Sequence, residues 1–217
     1  MTGSGTGGYP VSLSLSGRRV VVVGGGRVAT RRVEDLLEAG ARVEVVAPRL
    51  SPTLEAWAEA ERLVATRRPF RPADVDGAWL AFAATDDPEA NGAVVAATEE
   101  RRCFVSSATD AAQGSLRPMA VLRRGELEVA VGTGGRSPAV AAWLRRWLEA
   151  MIGPEYGVLL ELAGEERDRL RAGADGTGQE RPDWQAALES GILDAIRAGN
   201  LDEARKGLRT CLSSSSG

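Results

Sequence analysis

Apolar runs alternate with helical stretches through the first half of the chain. Arg19–Val23 is almost entirely valine, which is typical of a strand covered on both faces. Apolar residues then recur at helical spacing from Val28 to Leu37, and Gly40 ends that helix. Further strands are predicted at residues 41–47, 63–67, 78–84 and 103–107. This alternation of strands and helices predicts an α/β fold, a Rossmann-like doubly wound parallel sheet.

Short sequence patterns predict further local structure in the segments around these strands. Val11–Leu15 alternates apolar and polar residues, which predicts an edge strand before the main sheet. Ser51 followed by Pro52 predicts the start of a helix, with Ser51 as its N-cap. Pro72–Val75 predicts one helical turn. Thr85–Pro88 predicts a turn at the end of a strand that also caps a helix reaching residue 101.

The pattern changes after Asp110. Two apolar runs at 119–122 and 127–131 predict a hairpin, and long helices follow at 139–151 and 154–172. A Gly-rich linker and two or three short amphipathic helices over Pro182–Leu212 are predicted next, and their role is open. We therefore expect three parts: a Rossmann domain at 1–114, a hairpin–helix region at 115–150 and a helical region at 151–217.

Composition narrows the functional classes. The net charge of −3 favours neither nucleic acid nor an anionic membrane as a partner. Two cysteines, Cys103 and Cys211, form no metal-binding or disulfide pattern, and the first residues have no apolar signal-peptide core. A cytoplasmic protein without membrane spans is expected. The sequence has no histidine, so the commonest general base and metal ligand is absent.

A glycine-rich turn joins the first strand to the first helix. Gly24–Ala29 has the pattern G-x-G-x-x-A, and Arg27 and Val28 lie within it. In dinucleotide-binding folds the first glycine makes the turn, and the second lets the backbone approach a pyrophosphate. Such a turn also occurs in other α/β proteins. Its position between a strand and a helix favours the dinucleotide interpretation.

Two more strand ends carry candidate cofactor contacts. Ligands of such sheets bind beyond the carboxyl ends of the strands, where Pro48, Arg49, Thr85 and Asp86 are expected. No acidic residue ends the second strand to hold the ribose hydroxyls, because Glu44 lies inside it. Arg49 would suit a 2′-phosphate, so NADP stays open beside NAD. Thr85 and Asp86 are equally compatible with a role as helix N-cap.

Six short stretches together resemble one family, the precorrin-2 dehydrogenases and the N-terminal module of siroheme synthases, some of which are also sirohydrochlorin ferrochelatases. The stretches are Tyr9–Leu15, Val22–Ala29, Leu37–Val43, Val46–Pro48, Ala83–Asp87 and Gly132–Pro138. The resemblance implies NAD⁺-dependent oxidation of precorrin-2 to sirohydrochlorin. It also implies a homodimer formed through the hairpin and the helix that follows it.

The tetrapyrrole substrate implied by this resemblance carries eight carboxylates. A loop that opens a helix with exposed N–H groups and an arginine is a candidate cradle for them. Its candidate substrate-binding residues are Thr133, Gly134, Gly135, Arg136 and Ser137. The same residues are equally compatible with a simple capped helix inside the dimer contact.

The family's general base is an Asp after the fifth strand, and this sequence departs from that pattern. Ungapped register puts Thr109 at the Asp position, with Asp110 one residue later. A carboxylate is a usable base near neutral pH and a hydroxyl is not, so Asp110 is the candidate catalytic residue. If Asp110 merely caps a turn, the chain is a non-catalytic dinucleotide- or tetrapyrrole-binding dimer. Without histidine, iron insertion ranks below oxidation.

The helix at 139–151 has a wide apolar face, formed by Val140, Trp143, Leu144, Trp147 and Leu148. Two tryptophans are more than a small isolated domain readily covers, which favours a dimer contact. Packing of this face against the helix that begins at Pro154 is the alternative.

Overall fold

The computed structural model describes residues 8–109, 113–172 and 184–213. The chain forms two compact units. The first comprises the chain up to Pro118 together with Gly134–Arg136, and the second comprises Met119–Thr133 and the chain from Ser137 onward. The finer division at residues 114 and 150 stays a prediction.

The first unit is built on a five-stranded parallel sheet with the strand order β3-β2-β1-β4-β5. Its strands are β1 (Arg19–Val23), β2 (Arg42–Val46), β3 (Val64–Thr66), β4 (Leu80–Ala83) and β5 (Phe104–Ser107). The order reverses between β1 and β4, as a doubly wound sheet requires. The predicted Rossmann-like fold class is confirmed.

The valines of β1 explain why this strand is central. Val20 and Val22 join one buried cluster and Val21 and Val23 another, since successive side chains point to opposite faces of a sheet. The first cluster includes residues of two helices and the second residues of a third. The helices are α1 (Arg27–Glu38), α2 (Pro52–Glu59) and α3 (Pro88–Glu100), with a 3₁₀ turn at Pro72–Val75.

Two local predictions in this unit have opposite outcomes. Ser51 is the N-cap of α2, as predicted, and its hydroxyl accepts a hydrogen bond from the amide of Leu54. The edge strand predicted at Val11–Leu15 is wrong, because this segment is not a strand. Both edges of β1 are already paired with β2 and β4, and Leu15 joins the core without strand pairing.

The second unit begins with an antiparallel hairpin, and helices follow it in the described residues. The hairpin pairs β6 (Ala120–Arg124) with β7 (Leu127–Val131), and this prediction is confirmed. The linker expected before Pro182 lies outside the described residues. No helix in the described ranges is long and apolar enough to cross a membrane. The helices are α4 (Pro138–Met151), α5 (Glu155–Ala172), α6 (Trp184–Glu189), α7 (Ile192–Arg197) and α8 (Leu201–Ser213).

A buried carboxylate links α5 to α8. Glu166 is 1% exposed and accepts hydrogen bonds from Arg169 Nε at 2.5 Å and from Arg209 Nε at 2.6 Å. Burial opposes ionisation, but the two guanidinium groups outweigh it and hold the pKa of Glu166 below its ordinary value. The ionised pair therefore stabilises the packing of these helices.

We expect Glu166→Gln to lower the free energy of unfolding by about 2 kcal/mol at pH 7, because it removes charge-assisted hydrogen bonds to a buried group. A lowered pKa gives a contribution that is present above the ordinary value of 4.5 and is lost as the pH falls through the folded-state pKa. Urea unfolding from pH 7 to pH 3 measures this: the gap between wild type and variant should close below about pH 4.5.

Glu165→Gln is the matched control, since Glu165 is exposed and forms one solvent-screened pair with Arg205. It should change stability by less than about 1 kcal/mol. A gap between Glu166→Gln and wild type that stays constant down to pH 3 would show that the charge of Glu166 is not what stabilises the unit.

Candidate dinucleotide site at the carboxyl edge of the sheet

The glycine turn lies where the strand order reverses. Gly24 has a φ of +129°, and a Cβ there would lie 2.3 Å from the carbonyl oxygen of Ala84. A Cβ on Gly25 would lie 1.9 Å from the carbonyl oxygen of Arg49. Both positions therefore exclude any side chain. The turn is held directly against the segments that follow β4 and β2.

Gly26 differs from its two neighbours. A Cβ at this position would meet nothing within 4 Å, so the space beside it is open. Gly26 is the N-cap of α1, no side chain caps this end, and the first turn contains no acidic residue. The positive end of the helix dipole thus faces open space, as an anion site requires. The residues present fit the pyrophosphate of a dinucleotide.

The first turn of α1 separates exposed from buried residues. Ala29 is fully buried and packs into the core beside β1, whereas Val28 is 52% exposed. Arg27 is exposed as well. Both side chains extend from the open end of the helix, where candidate cofactor contacts are expected.

Hydrogen bonds of Thr30 and Ser51, which the sequence did not predict, hold the glycine turn in place. The Thr30 hydroxyl donates to the carbonyl oxygen of Gly26 at 3.0 Å and lies 2.8 Å from the Ser51 hydroxyl. The Ser51 amide donates to the carbonyl oxygen of Gly25 at 2.8 Å. Ser51 thus caps α2 and supports the glycine turn. Its capping role was readable from the sequence, but its contact with the turn depends on the fold.

The end of β2 carries Pro48 and Arg49, and both are exposed. Glu44 lies farther back in the strand and is bound by Arg19, with Nε to Oε1 at 2.8 Å. The hydrogen bond with Glu44 raises the pKa of Arg19. Glu44 therefore forms an ion pair with Arg19, and it lies inside β2 and not at the end of the strand, as predicted.

The segment after β4 shows which residue is the N-cap of α3. The N-cap of α3 is Asp87, whose Oδ1 accepts a hydrogen bond from the Glu89 amide at 2.9 Å. A capping role for Thr85 or Asp86 is therefore wrong. Asp86 is exposed. The Thr85 hydroxyl donates to Oδ1 of Asn91 at 2.8 Å, and the carbonyl oxygen of Asp87 lies near it at 3.0 Å.

Asn91 is a buried polar residue of α3 that the sequence analysis missed. It is 1% exposed, and its amide bonds both Thr85 after β4 and Thr109 after β5. Thr109 lies 3.3 Å from the Ser107 hydroxyl as well, so its hydroxyl takes part in a network. Asp110, the candidate base, lies outside the described residues.

The candidate substrate loop has a defined internal geometry. Gly134 and Gly135 have φ of +62° and +80°, a conformation that favours glycine. The Thr133 hydroxyl donates to the Ser137 carbonyl at 3.1 Å, and Ser137 caps α4 by accepting from the Val140 amide at 3.2 Å. The capped-helix interpretation is thus correct for Ser137. Arg136 is exposed.

Comparisons with known proteins agree with this architecture. Residues 11–117 match the family described as "Putative NAD(P)-binding". The siroheme synthase of Chromobacterium violaceum is 39% identical over 197 residues, which are 91% of this chain and 42% of that protein. The siroheme synthase of Xylella fastidiosa is 35% identical, over 94% of this chain and 43% of that protein. The chain thus spans less than half the length of these curated relatives.

A solved structure matches nearly the whole chain. SirC, a precorrin-2 dehydrogenase, superimposes with a TM-score of 0.71 and 26% sequence identity, covering 94% of this chain and 98% of that one. Similarity in both sequence and fold therefore extends through the helical second unit. In sequence and in fold this chain is therefore a relative of the siroheme synthases and of this precorrin-2 dehydrogenase.

Proposed function

We propose that this protein is an NAD-dependent dehydrogenase that oxidises precorrin-2 to sirohydrochlorin. The observation that carries the proposal is the match to a precorrin-2 dehydrogenase over 98% of that protein's length. The glycine turn supports it independently, because an uncapped helix end beside open space suits a dinucleotide. Together these features favour an oxidoreductase that uses a nicotinamide dinucleotide.

The proposed cofactor site extends along the carboxyl edge of the sheet. Gly24, Gly26, Arg27 and Val28 would hold the pyrophosphate at the start of α1. The exposed Pro48–Arg49 segment would lie at the adenosine end, and Thr85 and Asp86 would contact the cofactor from the end of β4. When bound, NAD⁺ supplies the hydride acceptor. The protein's part is to orient substrate and cofactor and to receive a proton.

The oxidation removes two electrons and two protons from the substrate, as one hydride and one proton. A bound nicotinamide would accept the hydride, and the proton would pass to a base of the protein, for which we propose the Asp110 carboxylate. We propose that Thr133–Ser137 binds substrate carboxylates through its backbone N–H groups and Arg136. Arg136 is exposed and forms no ion pair with another described residue, which leaves its guanidinium accessible.

One assay tests this function. The pure protein is incubated with precorrin-2 and either NAD⁺ or NADP⁺, and the absorbance spectrum of sirohydrochlorin is followed. We expect product with NAD⁺. A preference for NADP⁺ that Arg49→Ala reverses would correct the identity of the cofactor alone. Adding ferrous iron tests a proposed second activity, iron insertion to give siroheme.

The assay also tests the competing function, a binding protein that has lost its base. A wild type that binds dinucleotide and tetrapyrrole but forms no product with either cofactor would favour this alternative. The departure at Thr109, where the family carries its Asp, is the observation behind it.

We further propose a homodimer formed through the hairpin and α4. Val140, Trp143, Trp147 and Met151 recur on one face of α4 and are 47%, 56%, 53% and 61% exposed. Packing within the chain, including any contact with α5, therefore leaves the two tryptophans half uncovered. An apolar stripe of this kind is typical of a protein interface.

We expect the wild type to scatter light as a dimer at micromolar concentration, and Trp147→Glu to scatter as a monomer, because a charge inside an apolar interface stays unpaired. Arg146→Glu, which introduces the same charge at an exposed position beside the stripe, should remain dimeric. A monomeric wild type, or a dimeric Trp147→Glu, would contradict the proposed interface.

A further inference from the structure

The Asn91 side chain is buried and has no unused hydrogen-bonding capacity. Its Oδ1 accepts from the Thr85 hydroxyl at 2.8 Å and from the Thr85 amide at 3.2 Å. Its Nδ2 donates to the Thr85 carbonyl at 3.0 Å and to the Thr109 hydroxyl at 3.2 Å. Two donors and two lone pairs are thus all engaged, and a carboxylate or an apolar side chain could not reproduce this set.

These bonds join two strand ends at the point where backbone pairing stops. Among the described residues, the last backbone bond between the two segments runs from the Ala108 amide to the Ala83 carbonyl at 2.8 Å. Beyond it, the segments that contain Thr85 and Thr109 are bridged through the Asn91 amide. Thr85 is a proposed cofactor contact, and Thr109 directly precedes the proposed base in the sequence.

We propose that Asn91 is a positioning residue, which sets the distance between the cofactor-binding end of β4 and the end of β5. This inference rests on the proposed dehydrogenase function. Thr85 takes part in three of the four bonds, as donor in two and acceptor in one, and would keep its local geometry without Thr109. The bond to Thr109 is the part that aligns the two strand ends, so its loss should affect turnover more than cofactor affinity.

Two isosteric variants separate these contributions. Thr109→Val keeps the side-chain shape and removes the bond to Asn91 together with the contact to the Ser107 hydroxyl. We expect turnover at saturating cofactor to fall about tenfold with an unchanged Kd for the dinucleotide. Asn91→Leu removes all four bonds and should also weaken dinucleotide binding. Thr98→Val, the control, removes a buried hydroxyl from the far end of α3, where it bonds only helix carbonyls, and should leave both quantities unchanged.

The double variant tests whether the two residues act through their bond. If they do, Asn91→Leu combined with Thr109→Val should be no slower than Asn91→Leu alone, because the second change removes a bond already lost. Effects on turnover that multiply, or a Thr109→Val enzyme with full turnover, would overturn the proposal.

A readout independent of activity separates this inference from the proposed function. The Thr85 amide donates to Asn91, so its hydrogen exchange in the dinucleotide-free protein reports how firmly Asn91 is held. We expect Thr109→Val to raise that rate about fivefold, the equivalent of one lost hydrogen bond. An unchanged exchange rate would overturn the positioning role of Asn91, whether or not the enzyme oxidises precorrin-2. A raised exchange rate in a protein that is inactive towards precorrin-2 would support the positioning role and contradict the proposed function.

Discussion

Gly26→Asp is expected to abolish measurable binding of the dinucleotide. A Cβ at this position enters open space, so the substitution does not clash with the protein itself. The new carboxylate would stand at the uncapped start of α1, where it would occupy the anion site and repel a pyrophosphate. Isothermal calorimetry with NAD⁺ and with NADP⁺ measures the effect.

Gly164→Asp is the matched control, because a Cβ on this glycine of α5 also meets nothing within 4 Å. It introduces the same charge into a helix of the second unit and should leave affinity unchanged. Wild-type affinity in Gly26→Asp, with the fold intact by circular dichroism, would remove the cofactor from the glycine turn.

Asp110→Asn is expected to lower turnover by about 10²–10⁴-fold, the usual contribution of general-base assistance. The substitution keeps the shape of the side chain and removes its basicity, so dinucleotide affinity should change little. Steady-state kinetics at saturating NAD⁺ measure the loss in kcat, and calorimetry checks the affinity. Thr109→Val, which removes a hydroxyl and no base, should have a smaller effect.

Full dehydrogenase activity in Asp110→Asn would show that the proton leaves by another route, through a substrate carboxylate or water. A pH profile adds a second check. The wild type should lose activity as the base becomes protonated at low pH, and the variant should lack that limb of the profile. Identical profiles for the two proteins would count against Asp110 even if the variant is slower.

Local periodicity was sufficient for the fold of the first unit. The consecutive valines of Arg19–Val23 indicated a strand buried on both faces, and it is the central strand of the sheet. The spacing of three small residues predicted a tight turn at Gly24, open space for a ligand beside Gly26, and close packing of the helix on the strand at Ala29. The structure has each of these features. Such predictions succeed because each depends on residues adjacent in the sequence.

Predictions that depended on a distant partner were less secure. The alternation in Val11–Leu15 indicated which side chains face inward, but not that both edges of β1 are taken by β2 and β4. Similarly, the Thr85–Pro88 turn contained several possible caps. The backbone path selected Asp87, whose carboxylate reaches the amide of Glu89.

The amino-acid sequence by itself determined the parallel sheet, the glycine turn, the hairpin and the family resemblance, because these are expressed in local spacing and short motifs. Tertiary structure alone decided that Asn91 bridges Thr85 and Thr109, and that Thr30 and Ser51 brace the turn. An asparagine on a helix looks the same in sequence whether it is solvated or buried. The difference arises when α3 packs beside the ends of β4 and β5, because the Asn91 amide is then shielded from water and requires hydrogen-bond partners.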